Sequence, residues 1–500
     1  MVRAVLIRHM RMRLLAIVAA LWFTTASARA AEDLRAPSGV TTGRVIVRWR
    51  TAQPPAAPIS GAWRHRRALA GGARLIEAAD GSAAATTRLL TSLRADPDVE
   101  YAEPDYVRRR NVQVVTPDDP LFTQQWALPM VHAQEAWARS TGSAAVTVAI
   151  VDTGIVMHAE LAARIVGGYD FISDATSAGD GDGRDADFSD AGSSDEQSSG
   201  LHGTHVAGIV AAQANNDVGV AGLDWNCKLL VARVLGVDHG EGADSDIADA
   251  IRWAAGLHVD GVPDNSQPAQ VINLSFGGAG FSQTLQDAVH AAASNGAIVV
   301  AAAGNDGSEA RFVAPASLDG VIAVGAVDPS GKRALYSNFG AVVALMAPGG
   351  SPDPDPTTGA TQGVLSTMRV AGVGDTYAEL AGTSQASPFV AATISLMKAA
   401  YPRMTAIDAR DILQQTADSS AQCADPNDAT VAGCGAGLLD VDAAVALAVQ
   451  SQANGGFDSH VGNTVRGGCD VGGHGDGGGW LLVGFALLLV GSVRARRRML

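Results

Sequence analysis

The chain has 500 residues, with 36 Lys and Arg against 51 Asp and Glu, a formal net charge of −15 at pH 7. That length allows two or three domains. The acidic balance argues against nucleic acid as a partner, because phosphate binding needs Lys and Arg; acidity also serves solubility.

Residues 1–30 open with Arg3, Arg8, Arg11 and Arg13, continue through the apolar run 14–23 and end in Ala28-Arg29-Ala30. A basic region, a short apolar core and a small-residue cleavage site read as a secretory signal. The run is too short for a membrane-spanning helix. Residues 31–110 form a second unit, with a strand expected at 44–50, a helix at 83–93 and a strand at 99–106. Its Gly- and Ala-rich middle can be read as linker. Residues 32–110 hold 13 Arg and no Lys against 9 acidic residues, a net of +4. Residues 111–450 hold 13 Lys and Arg against 39 acidic residues, a net of −26. Opposite charge of this size predicts fast association of the two units, weakened by salt.

The body, residues 111–450, alternates strands and helices. Strands are expected at 146–152, 229–234, 270–275, 297–303 and 321–327, and helices at 203–213, 244–256, 283–295, 385–400 and 406–416. Alternation of this kind implies a parallel β-sheet with helices on both faces, an α/β fold. Three segments carry chemistry. Val146 to Ile155 is a buried strand ending in Asp152 and a glycine turn. Leu201 to Gly208 reads Leu-His-Gly-Thr-His-Val-Ala-Gly, with His202 opening a helix. Gly382 to Pro388 reads Gly-Thr-Ser-Gln-Ala-Ser-Pro and sets Ser384 where a glycine turn enters a helix. A serine at a helix N-terminus can attack a carbonyl while free backbone N–H groups hold the oxyanion. A fourth segment, 297–305, is a strand ending in Ala302-Ala303-Gly304-Asn305.

The order Asp152, His202, Ser384, with these motifs, resembles the subtilisin-like serine proteases of the subtilase family, from about Asp118 to Ala448. The resemblance implies Ser384 as nucleophile, His202 as general base and then acid, and Asp152 as the carboxylate that fixes the imidazole tautomer. It implies Asn305 as a side-chain oxyanion donor beside the Ser384 N–H. The segments Ser275-Phe276-Gly277 and Ala302-Ala303-Gly304 would flank the pocket for the residue before the scissile bond, the first pairing with the substrate as an added strand. No acidic residue in them calls for a basic side chain, so a broad specificity tilted toward apolar residues is expected. Gln385 and Leu201 depart from the common pattern at positions that carry no chemistry. His205 reads as a packed structural residue, and His158 and His239 as solvated loop histidines. The phrase at 95–104, Ala-Asp-Pro-Asp-Val-Glu-Tyr-Ala-Glu-Pro, resembles the end of subtilase propeptides, small α+β inhibitors of their own enzymes. Arg108-Arg109-Arg110 suits processing.

Asp180, Asp182, Asp185 and Asp187 sit in a dense acidic loop running to Asp190; it either binds calcium, a hard cation with oxygen ligands, or is merely solvated. No cofactor is expected for catalysis. Cys423 and Cys434 lie 11 apart in sequence, which suits a local disulfide in an oxidising compartment; Cys227 reads as a small buried thiol. Residues 451–476 are a Gly-rich linker. Residues 477–500 carry a short hydrophobic segment and an Arg cluster. That segment falls short of the roughly 20 residues that span a bilayer and resembles bacterial C-terminal sorting signals, a transient membrane attachment; a permanent short anchor is the alternative.

The reading is a secreted, self-processing serine endopeptidase acting on protein or peptide substrates. A sedolisin-type peptidase would use glutamate where His202 stands. An α/β-hydrolase would need glycine where Ala386 stands. A non-enzymatic scaffold would not need all four catalytic positions filled.

Overall fold

The computed structural model describes residues 41–51, 63–78, 83–106, 113–192, 201–237, 240–370, 373–419 and 433–457. The chain divides into two compact units, Met1–Val112 and Gln113–Leu500.

In the first unit four antiparallel strands lie in the order Trp63–Ala68, Arg74–Ala78, Thr41–Trp49, Val99–Tyr106. The helix Ala83–Ala95 supplies Leu89 and Leu93 to a core with Val45, Val47, Ile76, Val99 and Ala102. Val45 and Val47 are both buried because strand side chains alternate. The middle of this unit is thus a hairpin rather than a linker. Trp63 packs its ring 6.2 Å from that of Trp49, which helps seat a strand whose other residues are mostly exposed.

The second unit is built on a seven-stranded sheet in the order Val343–Pro348, Val321–Val327, Ile298–Ala302, Val271–Leu274, Thr147–Asp152, Lys228–Arg233, Ile165–Asp170. Every pairing in it is parallel. Such sheets need both faces covered, and the strands show it by their period of two. Val148, Ile150, Leu229, Val231 and Val300 point into one core with Val206, Val210, Phe389 and Val390 from the helices His202–Ala211 and Thr383–Ala400. Ala149, Val151, Leu230, Ala232 and Val299 point into the other, with Ile247, Ile251, Leu285 and Val289 from Asp244–Ala254 and Gln283–Ser294.

From Thr147–Asp152 the chain crosses to the edge strand Ile165–Asp170, returns to Lys228–Arg233 between the two, and then adds the remaining strands in order on the other side. The strand order therefore reverses at that strand, and a crevice opens at its carboxyl end. Asp152 is its last residue. Among the described residues no helix is long and apolar enough to cross a membrane; the signal at 1–30 and the tail at 458–500 lie outside them.

Candidate active site

Asp152 is fully buried, and its Oδ1 accepts from the Thr153 N–H at 2.8 Å and from His202 Nδ1 at 2.7 Å. His202 begins its helix after Leu201, which is held at φ 76°. That is a left-handed conformation which a branched side chain adopts only when its surroundings impose it. Two contacts impose it. The Leu201 N–H donates to Asp190 Oδ2 at 3.0 Å, and the Gly203 N–H donates to Thr153 Oγ1 at 3.0 Å, while Thr153 itself donates to Asp190. Asp190 thus ties the turn after Asp152 to the start of the histidine helix. A Cβ on Gly203 would lie 2.2 Å from the Gly154 carbonyl, so only glycine lets the two segments approach.

Burial disfavours a charged ring at His202. The charge of Asp152 and its hydrogen bond, with Asp190 further off, outweigh it, and the net shift is above the ordinary 6.5. Nδ1 faces the carboxylate, leaving Nε2 to handle a proton. His205, three residues on, has the opposite fate. Burial pushes it down to about 3, and its Nε2 bonds the carbonyls of Val364 and Ala378, each at 3.0 Å. It is a packed neutral residue, as read from the sequence.

Ser384 is the second residue of Thr383–Ala400, and Pro388, inside that helix, has no N–H to give the Ser384 carbonyl four residues back. Its hydroxyl donates to the Ser275 carbonyl at 2.7 Å, and its own carbonyl accepts from Ser275 Oγ at 2.9 Å. Ser275 Oγ in turn accepts from Asn273 Nδ2 at 2.8 Å, and Ser387 donates to Asn273 Oδ1. Among the described residues no hydrogen bond joins His202 to Ser384; the serine hydroxyl rests against the strand end. Catalytic contacts commonly tighten only with substrate bound.

Asn305 is exposed, on the loop after Ile298–Ala302. Its Oδ1 accepts from the Thr383 N–H at 2.9 Å and from Thr383 Oγ1 at 2.8 Å. Because the oxygen has two donors, the amide cannot be turned over, and Nδ2 is left free to donate. A Cβ built on Gly382 would lie 3.4 Å from Asn305 Nδ2 and 3.7 Å from the Ser384 nitrogen. The two nitrogens therefore border one small space beside Gly382, and the end of the Gln385 side chain borders it too, its Oε1 2.9 Å from that Cβ position.

Of the expected substrate segments, Gly277 is exposed and Phe276 and Gly304 are partly exposed, whereas Ser275, Ala302 and Ala303 are buried. Gly304 has φ 102°, and a Cβ there would meet Asn338 at 2.3 Å.

The acidic loop differs from its sequence reading. Asp180 pairs with the buried Arg233, Asp185 and Asp187 each accept from the backbone two residues on, and Arg184 joins Asp246 and Asp249. Among the described residues no group of three or more His, Cys, Asp or Glu side chains could hold a metal ion. Asp180, Asp182, Asp185 and Asp187 are thus not gathered into a ligand set, because ion pairs and turns already take up three of them. His158 is also corrected: it is buried, its Nδ1 accepting from Glu160 N–H and its Nε2 contacting the Thr376 carbonyl. His239 lies outside the described residues. Cys434 is disulfide-bonded, Cys423 lies outside the described residues, and Cys227 is a buried free thiol.

Sequence reading missed Asn273, Ser387, Thr153 and Asp190. One signal was available: Asn273 is a polar residue inside the buried strand Val-Ile-Asn-Leu, and such a group must have a partner.

With this geometry in view, the comparisons are decisive. The subtilase family matches residues 143–463. The chain belongs to the subtilase family. It is 42% identical over 380 residues to an extracellular protease of Xanthomonas campestris, covering 72% of this chain and 61% of that one. It is 38% identical over 382 residues to an extracellular basic protease of Dichelobacter nodosus, covering 71% and 60%. A solved protease of Pseudoalteromonas arctica shares 43% identity at a TM-score of 0.62, covering 67% of this subtilase and all of that chain. The subtilase thus spans about 60% of the length of the two bacterial relatives.

Proposed function

We propose that this subtilase is a secreted serine endopeptidase, made as a self-processing zymogen, that hydrolyses peptide bonds through an acyl-enzyme on Ser384. The observation that carries the reading is the space beside Gly382, bordered by Asn305 Nδ2 and the Ser384 nitrogen, on the same helix start as the serine. Two hydrogen-bond donors facing a small space beside a serine suit the oxyanion of acyl transfer, the flexible Gln385 side chain moving aside for it. The His202–Asp152 pair, 2.7 Å apart, supplies the base.

Ser384 Oγ leaves the Ser275 carbonyl and turns to His202. Its oxygen bonds to the substrate carbonyl carbon as its proton passes to Nε2. The oxyanion lies between Asn305 and the Ser384 N–H. Collapse breaks the C–N bond, and His202 returns the proton to the leaving amine. Water then repeats the sequence on the acyl-enzyme. A peptide added along 275–278 would occupy the Ser275 carbonyl and so release the serine hydroxyl from its resting contact.

The same reading assigns residues 31–110 as propeptide. The small antiparallel sheet with one helix suits an inhibitor that could itself add a strand at the substrate edge. Export follows from the signal at 1–30, and the relatives named extracellular support it. Residues 477–500 would retain the precursor at the membrane until cleavage near Gly467–Cys469.

A fluorophosphonate probe tests the reading directly. Mass spectrometry should find the label on Ser384, and Ser384→Ala protein should lose both labelling and peptide hydrolysis while keeping residues 31–110 attached. Hydrolysis by purified Ser384→Ala protein at the wild-type rate would overturn it.

A further inference from the structure

Within an α-helix each carbonyl accepts from the N–H four residues on. In Thr383–Ala400 that pattern fails at Ser384, because residue 388 is a proline, and the helix around it is buried. A buried carbonyl left without its donor is costly. Here the donor comes from another element. Ser275, 109 residues earlier and just past the strand Val271–Leu274, gives its hydroxyl proton to the Ser384 carbonyl at 2.9 Å.

That hydroxyl is itself oriented. It has one proton to give, and Asn273 Nδ2 donates to its oxygen at 2.8 Å, so the proton is directed at Ser384. Asn273 Oδ1 accepts from Ser387, which fixes which way the amide faces. Asn273 is fully buried in a strand whose two neighbours set Ile150 and Val300 beside it. An amide in such surroundings needs partners at both ends. Both ends serve the turn that carries Ser384, one through Ser275 and the other through Ser387.

We propose that Ser275 is a positioning residue for the nucleophile, its hydroxyl standing in for the helical N–H that Pro388 lacks, with Asn273 orienting it. The kinetic part of the proposal rests on the endopeptidase reading. With an ordinary residue at 388 the Ser384 carbonyl would be satisfied inside its own helix. With proline there, the bond runs to the strand end instead, and the edge where a substrate strand adds is tied directly to the nucleophile. Ser275 meets Ser384 a second time, its carbonyl accepting from the serine hydroxyl at 2.7 Å. The two contacts have different fates. A substrate strand along 275–278 takes up the carbonyl, whereas the Ser275 side chain, in a residue only 2% exposed, stays on Ser384. The serine hydroxyl thus turns toward His202 while its backbone is still held. The expected part of Ser275 in substrate binding falls to its backbone alone.

The test is a double-mutant cycle on the whole enzyme. Ser275→Ala removes the stand-in donor and should lower kcat by on the order of tenfold with KM little changed, the size of one lost positioning hydrogen bond. Pro388→Ala returns the helical N–H. Added to Ser275→Ala it should recover much of the lost kcat; added to wild type, where the carbonyl already has its donor, it should give no gain. Comparing the two ratios cancels whatever Pro388→Ala does by itself. An unchanged kcat in Ser275→Ala, or the same Pro388→Ala ratio in both backgrounds, overturns the proposal. The same cycle read as urea midpoints on Ser384→Ala protein, which keeps the carbonyl at 384 and cannot digest itself, follows the exchange of donors without catalysis. The drop in midpoint on Ser275→Ala should be smaller when Pro388→Ala is present, and equal drops overturn the exchange. Wild-type protein that neither hydrolyses peptides nor takes up a fluorophosphonate on Ser384, with the smaller drop still seen, would sink the endopeptidase reading and leave the replaced hydrogen bond standing.

Discussion

Thr383 holds Asn305 through both its backbone N–H and its hydroxyl, at 2.9 and 2.8 Å. The same hydroxyl accepts from the Gly304 N–H at 3.1 Å, and Thr383 is fully buried. Thr383, just before Ser384, thus sets which way the Asn305 amide faces. Asn305→Leu should lower kcat by about a hundredfold or more with KM little changed, because the donor meets charge that exists only in the transition state; the size is that known for an oxyanion donor in subtilisin, of the same family. Thr383→Val should cost on the order of tenfold, roughly one hydrogen bond of positioning. Steady-state kinetics on a chromogenic peptide decide both. A loss confined to KM would place the donor elsewhere.

On the proposed mechanism the pH profile follows from His202. Only the neutral ring can take the serine proton, and its pKa is raised, chiefly by Asp152 acting against burial. The acid limb of kcat/KM should therefore fall above the ordinary histidine value of 6.5. Asp152→Asn removes the charge that raises it, so the limb should move to lower pH, while kcat falls by roughly ten-thousandfold through loss of the correct tautomer. A midpoint that stays put in Asp152→Asn would mean another group sets the limb.

Stability should depend on pH through Glu160 and Asp119. Glu160 and Asp119 are buried, and Glu160 Oε2 and Asp119 Oδ1 have no hydrogen-bond partner. Burial raises Glu160 to about 7 despite its bond from Tyr377, and burial raises Asp119 as well. The folded state then binds a proton that the unfolded state releases near 4.5. Stability is greatest below that value and falls as pH rises toward 7. Glu160→Gln should flatten melting temperature against pH between 4.5 and 7. An equally steep wild-type and variant curve would refute the assignment. Repeating the titration with chelator reports whether a hard cation neutralises the pair.

The sequence exposed the catalytic half of this fold well, for a physical reason. Strands buried on both faces must be apolar throughout, so 147–152, 298–302 and 321–327 stand out, and the helices between them show clear caps and periods. Other strands break that pattern. Ile165–Asp170 contains Gly167 and Gly168, and a Cβ on Gly168 would strike the Phe188 ring at 2.5 Å, so packing demands a residue that strand propensity disfavours. Val343–Pro348 ends in proline, tolerated because it is an edge strand. The hairpin Val364–Val370 with Gly374–Leu380 is polar and charged along much of its length. At the candidate site, residue types and order singled out Asp152, His202, Ser384 and Asn305. The buried links that hold them, Ser387 to Asn273 and Thr153 to Asp190, join residues distant in sequence and carry no local pattern.

The last prediction concerns Arg233, which ends the strand beside Asp152. Its side chain is 1% exposed and bridges Asp170, fully buried, and Asp180, about one-fifth exposed. Burial raises Asp170 to about 6 even with the arginine present. A buried cation between two carboxylates is costly to assemble, yet breaking it is costlier, because removing one partner strands the other's charge. Arg233→Met should therefore destabilise the catalytic unit by about 3–5 kcal/mol at pH 8, and by less at pH 5, where Asp170 can take up a proton. Asp180→Asn should cost far less, since Asp180 is partly solvated and Arg233 keeps Asp170. Urea unfolding of Ser384→Ala protein, which avoids self-digestion, measures all three. Equal losses for Arg233→Met at pH 5 and pH 8 would show that the arginine acts through packing rather than charge.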